Sequence, residues 1–180
     1  MVTTRLHTVE ELWAFVARGE DFELIEGELS QVTPPSFEHG EIQLALGSLI
    51  HRFVVDGQLG KAVTESGYIL ARDPDTVLSP DISFVRAARL PAETRPFPET
   101  APDLAVEIVS SGNTRAEIDR KTRIYLESGV QAVWIVYPER REVAVHEPGK
   151  PALMVTGEMQ LDGGDVLPGF AVSLPEIFGT

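Results

Sequence analysis

The chain has 180 residues, 43% of them hydrophobic and 24% charged, which suits one soluble globular domain over 1–180 with a sizeable core. No apolar run approaches the ~18 residues of a membrane span; Arg5, Glu10 and Glu11 make a secretory leader unexpected; and the lack of cysteine excludes disulfides and thiolate metal sites, so a cytoplasmic protein with no membrane partner is expected. The formal net charge of −13 argues against a broad nucleic-acid surface, because phosphate backbones select for Lys and Arg, although an acidic site can meet phosphate through a divalent cation.

Thr8-x-x-Glu11 is a capping-box pattern, and Val9, Leu12, Trp13, Phe15 and Val16 give the helix behind it one apolar face. Phe22–Ile25 and Leu29–Val32 flank a turn at Gly27 and read as a hairpin. Pro34 and Pro35 break the chain, and Ser36 is placed to cap a second helix. In that helix Ile42, Leu46, Leu49, Ile50 and Phe53 recur at spacings of three and four, a stripe facing the core, and Gly57 and Gly60 end it. Short strands follow at Ala62–Glu65, Tyr68–Ala71 and Ile82–Val85, with a turn at Asp73-Pro74-Asp75 between the last two.

The four prolines between Ala87 and Pro102 predict an irregular loop. Leu104–Val109 is a compact apolar strand. Asn113 or Thr114 caps a helix running to about Ser128, which Gly129 stops. Ala132–Tyr137 is another apolar strand, and Glu142–His146 pairs with it through a turn. The tail holds a Gly163-Gly164 turn, a strand near Phe170 and a helical turn at Pro175–Phe178. This order predicts an α/β (α+β) fold, a mixed or mostly antiparallel sheet flanked by helices.

Ionisable residues stand where packing alone would select apolar ones. Glu107 lies inside the strand Leu104-Ala105-Val106-Glu107-Ile108-Val109, which reads as buried on both faces. A buried carboxylate without a partner costs several kcal/mol, so a cation, a basic side chain or a shared proton must compensate it; a structural ion pair or an edge position would also serve. Asp81 follows Ser79-Pro80 and opens a strand, a place an ordinary turn residue also takes. Lys121 shares a helical face with Ile118, Thr122 and Tyr125, and its stem can reach inward or snorkel to water. Two carboxylates on neighbouring strands plus a lysine form a chemical set: hard oxygen ligands for Mg²⁺, a cation that acidifies water and an ammonium that stabilises charge at phosphate. His39 starts the inward stripe of the second helix, as a core histidine or as an auxiliary metal ligand or proton shuttle. His7, His51 and His146 read as surface or edge residues.

The segments carrying these residues resemble the Uma2 family of PD-(D/E)XK-like endonucleases. The resemblance runs through Phe22-Glu23-Leu24-Ile25-Glu26-Gly27-Glu28-Leu29, Pro34-Pro35-Ser36-x-x-His39, Ser79-Pro80-Asp81 and Pro102-Asp103-Leu104-Ala105-Val106-Glu107-Ile108-Val109-Ser110. It continues in Lys121-x-x-x-Tyr125 and Gly129-Val130-x-x-Val133-Trp134-Ile135-Val136. It implies a restriction-endonuclease-like central sheet with an extra N-terminal helix and hairpin. It also implies Asp81 and Glu107 as the acidic pair, His39 as the family histidine joining them as a metal ligand, and Mg²⁺ or Mn²⁺ as cofactor. The superfamily lysine two residues after the Glu is Val109 here; Lys121 on the following helix matches the family's alternative. Glu23 matches a recurrent hairpin acid to which the resemblance gives no role. Ser110-Ser111-Gly112 replaces a frequent Ser-Pro-Ser, and Glu117 replaces an aspartate four before the lysine.

The implied activity is metal-dependent phosphodiester hydrolysis, with DNA as partner and Asp81, Glu107, Lys121 and His39 as catalytic residues. Arg115, Arg120 and Arg123 offer local positive charge or simply a solvated helix face. Two alternatives remain beside it: a binding or assembly module that keeps the fold without catalysis, and a hydrolase for small nucleotides, which needs less basic surface. The hairpins and the apolar Val166–Phe178 segment offer surfaces for a homodimer.

Overall fold

The computed structural model describes residues 5–91 and 96–179. Helix α1 (Val9–Val16) begins with the expected box: Glu11 N donates to Thr8 Oγ1 (3.4 Å) and Thr8 N to Glu11 Oε2 (3.2 Å). Strands β1 (Phe22–Ile25) and β2 (Glu28–Gln31) form the hairpin. Its two turn residues, Glu26 and Gly27, both take positive φ (52° and 82°), the mirror-image turn that matches strand twist. Helix α2 (Phe37–Asp56) starts at Ser36, whose hydroxyl accepts from His39 N at 3.2 Å, and ends at Gly57.

Strands β3 (Gly60–Thr64), β4 (Tyr68–Ala71), β5 (Thr76–Leu78) and β6 (Ile82–Arg86) follow. The sequence reading has no β5, because three residues are too few to show an alternating pattern. Tertiary pairing creates it: β5 lies between β1 and β4, with Val77 opposite both Leu24 and Ile69. A sheet of order β2-β1-β5-β4 results, so the fold has a second sheet beyond the central one. Ala87–Arg89 form a 3-10 turn, and residues 92–95 of the expected loop lie outside the described residues.

The central sheet adds β7 (Leu104–Ile108), β8 (Ala132–Tyr137), β9 (Glu142–His146) and β10 (Leu153–Val155) in the order β10-β9-β8-β7-β6-β3. Only β7 and β8 run parallel; the other neighbours are antiparallel. The parallel pair is joined by helix α3 (Arg115–Glu127), capped reciprocally by Thr114 and Glu117. Strands β11 (Gln160–Asp162) and β12 (Ala171–Ser173) pair with each other, and helix α4 (Leu174–Phe178) closes the described chain. The short β10 and β11 carry too few residues to be legible in the sequence.

Side-chain alternation assigns each face of the central sheet. Leu104, Val106 and Ile108 of β7 join Ile82, Phe84, Trp134 and Val136 against Ile42, Leu46, Ile50 and Val54 of α2. Ala105 points the other way, with Val133 and Ile135, toward Tyr125 of α3 and Ile25 and Leu78 of the small sheet. Glu107 shares that second direction by periodicity. Helix α1 covers the far side of the small sheet through Val9 and Leu12, packed with Leu24, Ile69 and Val77. Trp13, expected on its inward face, is 44% exposed: among the described residues α1 packs on the small sheet through Val9 and Leu12, and Trp13 meets Phe97 edge to face. The Val166–Phe178 segment, read as a self-pairing surface, instead buries Val166, Leu167, Phe170, Val172, Leu174 and Ile177 in the α2-side core. Among the described residues no helix is long and apolar enough to cross a membrane.

Candidate active site

Asp81 stands one residue before β6, where the β6–β7 pairing ends at Ile82 opposite Val106. Its Oδ2 accepts from Ile108 N at 2.6 Å, replacing the ladder partner that β6 no longer provides. Oδ1 lies 3.0 Å from His39 Nε2. With the carboxylate as acceptor, Nε2 carries the hydrogen. Gln43, four residues along α2, donates to the Asp81 carbonyl (2.9 Å) and to Glu65 (2.6 Å). His39 is buried, and its Nδ1 is the one buried side-chain polar atom among the described residues without a hydrogen-bond partner. The Asp81 hydrogen bond raises the pKa of His39 above its ordinary value, against the opposing effect of burial.

Glu107 projects from the middle of the sheet toward α3. The Tyr125 hydroxyl donates to Oε1 at 2.6 Å, and Lys121 Nζ stands 3.5 Å from Oε2. Burial raises the Glu107 carboxyl from the ordinary 4.5 to about 7, only partly offset by Lys121 and reinforced by Glu23 and Asp81. Burial would by itself lower Lys121, yet Glu107 and Glu23 outweigh it and raise its pKa, so Lys121 is a persistent cation. Tyr125 is pushed well up by burial and by Glu107, so its hydroxyl keeps its proton and remains a donor.

The third carboxylate is Glu23, on the hairpin. Lys121 Nζ lies 2.9 Å from its Oε1 and 2.7 Å from Oε2, and Ser79 N donates to Oε1 at 3.0 Å. Tyr125, Glu107, Lys121 and Glu23 therefore form one connected chain. Glu107, Lys121 and Glu23 face a cleft of about 780 Å³ whose lining also includes His39, Glu65 and Asp81, while Tyr125 lies buried behind it. The four residues singled out in the sequence, Asp81, Glu107, Lys121 and His39, thus line one cavity. Glu23, Gln43, Glu65 and the Tyr125 hydroxyl join the site without a role legible in the sequence. For Glu23 a signal was present: it sits between Phe22 and Leu24 as Glu107 sits between Val106 and Ile108, an acid inside an apolar strand. Of the helix α3 arginines, Arg120 pairs with Glu26 of the hairpin turn and Arg115 lies 3.6 Å from Asp119, so both meet carboxylates.

Among the described residues no three His, Cys, Asp or Glu side chains form a cluster able to hold a metal ion. A closed site of zinc type is therefore not built here. Mg²⁺ asks for less, commonly one or two carboxylates with water completing the shell. Asp81 and Glu107 supply that kind of donor. The charge also fits, since three carboxylates face the single Lys121 ammonium and the Glu107 carboxyl is driven toward its protonated form by burial.

The central mixed sheet flanked by α2 and α3 has the architecture of the PD-(D/E)XK restriction-endonuclease-like class. The fold matches a solved structure from Anabaena variabilis ATCC 29413, described as a putative nuclease belonging to DUF820, with a TM-score of 0.80 over 87% of this chain and 89% of that one. At 23% identity this likeness concerns the fold. The model of the Uma2 family, described as "Putative restriction endonuclease", matches residues 8–175, and the chain belongs to that family. No curated protein matches the chain in sequence.

Proposed function

We propose that this protein is a Mg²⁺- or Mn²⁺-dependent nuclease that hydrolyses phosphodiester bonds, with DNA as its substrate. The observation that supports this reading is the meeting of Asp81, Glu107 and Lys121 in one cleft, two acids from adjacent strands and a cation from the helix that follows. Asp81 and Glu107 are the residues that would hold the cation, which when bound supplies an acidified water and neutralises charge on the scissile phosphate.

The remaining roles follow from the side chains. Lys121, kept protonated by its carboxylate neighbours, is a charge stabiliser for phosphate oxygens rather than a proton acceptor. Tyr125 fixes one oxygen of Glu107 and leaves the other toward the cleft. His39 acts through Asp81, because its Nε2 is engaged there; ligation of a cation by Nε2 requires that bond to open, and the other ring nitrogen, Nδ1, is buried.

The test is a thermal-shift titration with Mg²⁺ and Mn²⁺ on the wild type and Glu107→Ala, followed by cleavage assays on duplex and single-stranded DNA. A ligand that binds only the folded state raises the melting temperature by mass action. The expected result is a shift in the wild type that the variant lacks, with cleavage lost alongside. A melting temperature unmoved by either metal in both proteins, with no cleavage, overturns the reading in favour of a non-catalytic module. One observation favours a smaller phosphodiester over long DNA: Arg115 and Arg120 are engaged by carboxylates on a chain of charge −13. Hydrolysis of a dinucleotide or cyclic nucleotide without cleavage of duplex DNA would select it.

A further inference from the structure

Lys121 is not placed as a lysine two residues after Glu107 would be. A strand position fixes its Cβ beside the acid. Lys121 instead reaches in from α3 on a flexible stem with four rotatable bonds, and such a side chain gives up rotamer freedom when it is held. Something must hold it. Glu107 attracts it but meets it at 3.5 Å through a single oxygen, the outer limit of a hydrogen bond, and so fixes its direction poorly. Glu23 presents both oxygens, at 2.7 and 2.9 Å, from a residue only 4% exposed.

Glu23 is itself fixed. The β1 register sets its face, and its Oε1 accepts from Ser79 N, two residues before Asp81. A second ion pair, Arg120 to Glu26 in the hairpin turn, ties the preceding residue of α3 to the same element. Glu23 and Ile25 share one strand face, and Ile25 packs in the core beneath α3. An apolar residue at position 23 would pack there without the cost of a buried charge. The ion pair opens on the cleft, where the Lys121 side chain is 23% exposed.

We infer that Glu23 is the positioning residue for Lys121: the hairpin carboxylate, not Glu107, sets where the ammonium stands over the cleft. The inference rests on the nuclease reading for its catalytic meaning, although the pairing itself does not. When Glu107 turns to another cation, Lys121 loses a contact of 3.5 Å and keeps two under 3 Å. The N-terminal hairpin, which lies outside the central sheet, is then part of the active site.

The experiment is a double-mutant cycle on the full chain with Glu23→Gln, Lys121→Met and the pair. Glutamine keeps the shape of Glu23 and an acceptor for Ser79 N, so the variant folds with its loop intact. In metal-activated DNA cleavage, Glu23→Gln is expected to lower kcat about 100-fold, the usual loss for one charge-stabilising group, with KM within about twofold. The same change in the Lys121→Met background is expected to cost nothing further. An equal loss in both backgrounds overturns the inference, because a residue that merely supports the fold acts whether or not Lys121 is present.

The second arm is chemical unfolding without metal. Glu23→Gln should lower the midpoint in the wild-type background and raise it in Lys121→Met, where it removes a buried carboxylate left unpaired. Shifts of the same sign in both backgrounds overturn the pairing. If the wild type cleaves no phosphodiester, the nuclease reading fails, and the unfolding arm still decides whether Glu23 holds Lys121.

Discussion

The two faces of the central sheet are built to different ends. On the α2 side Ile42, Leu46, Ile50 and Val54 interlock with Ile82, Phe84, Leu104, Val106 and Trp134, an apolar core that α4 and the C-terminal strands extend. On the α3 side the apolar patch is smaller, and Glu23, Glu107, Lys121 and Tyr125 run through it as a hydrogen-bonded chain. The same strands serve both: in β7, Val106 and Ile108 face the first and Glu107 the second. The first side stabilises by removing apolar surface from water. The second holds charge in a poorly solvated place, where each group stays only because its neighbours compensate it.

Substitutions on the two sides should therefore differ in size and even in sign. Leu46→Ala opens a cavity in the α2-side core, where Leu46 is fully buried. A loss of about 3 kcal/mol is expected in urea unfolding, within the range for such cavities, with the melting-temperature response to Mg²⁺ retained. A loss under about 1 kcal/mol would mean that this side is not the stabilising core.

Glu107→Gln should act in the opposite direction. In the folded protein this carboxyl has a pKa of about 7 against an ordinary 4.5, so the native state binds the proton more tightly than the unfolded chain. Its favourable contribution is complete below about pH 4.5 and is lost as pH rises through about 7. Metal-free Glu107→Gln should accordingly be more stable than the wild type at pH 8, by on the order of 1–2 kcal/mol, and show no gain at pH 4. Paired melting curves across this range check it, and a variant destabilised at pH 8 would show that Glu107 is fully compensated without a cation. Divalent-cation affinity of the wild type should weaken as pH falls through about 7, because the proton competes for the same oxygens.

The smallest effect expected is at the start of α3. Thr114→Ala removes the hydroxyl that accepts from Glu117 N and should cost about 1 kcal/mol of stability in denaturant unfolding. Lys121 lies in the second turn and is held from the hairpin, so its ion pair should survive. Cleavage falling in Thr114→Ala as far as in Glu23→Gln would shift the placing of Lys121 from the hairpin to the cap.

Much of this was legible before folding. Thr8 with Glu11, Ser36, and Thr114 before Arg115 mark helix starts through bonds spanning three residues. Glu107 stood out because an acid inside an apolar strand contradicts its neighbours, and Lys121 because its helical face was otherwise inward. What stayed hidden depended on distance along the chain. The Glu23–Lys121 contact joins residues 98 apart, and His39 meets Asp81 across 42. Strand β5 exists only because β1 and β4 flank it.

The sequence by itself determined the helices, the long strands, the alternation that turns Glu107 away from the α2 core, and the set of carboxylates and the lysine proposed to meet a cation and a phosphate. These follow from local periodicity and capping, which nearby residues settle among themselves. Only the tertiary structure decided that a second sheet forms, that the apolar C-terminal segment turns inward, and that the hairpin presents Glu23 to Lys121. Burial and long-range pairing set those outcomes, because a carboxylate between two apolar residues reveals that a partner is needed but not which distant side chain the fold will bring to it.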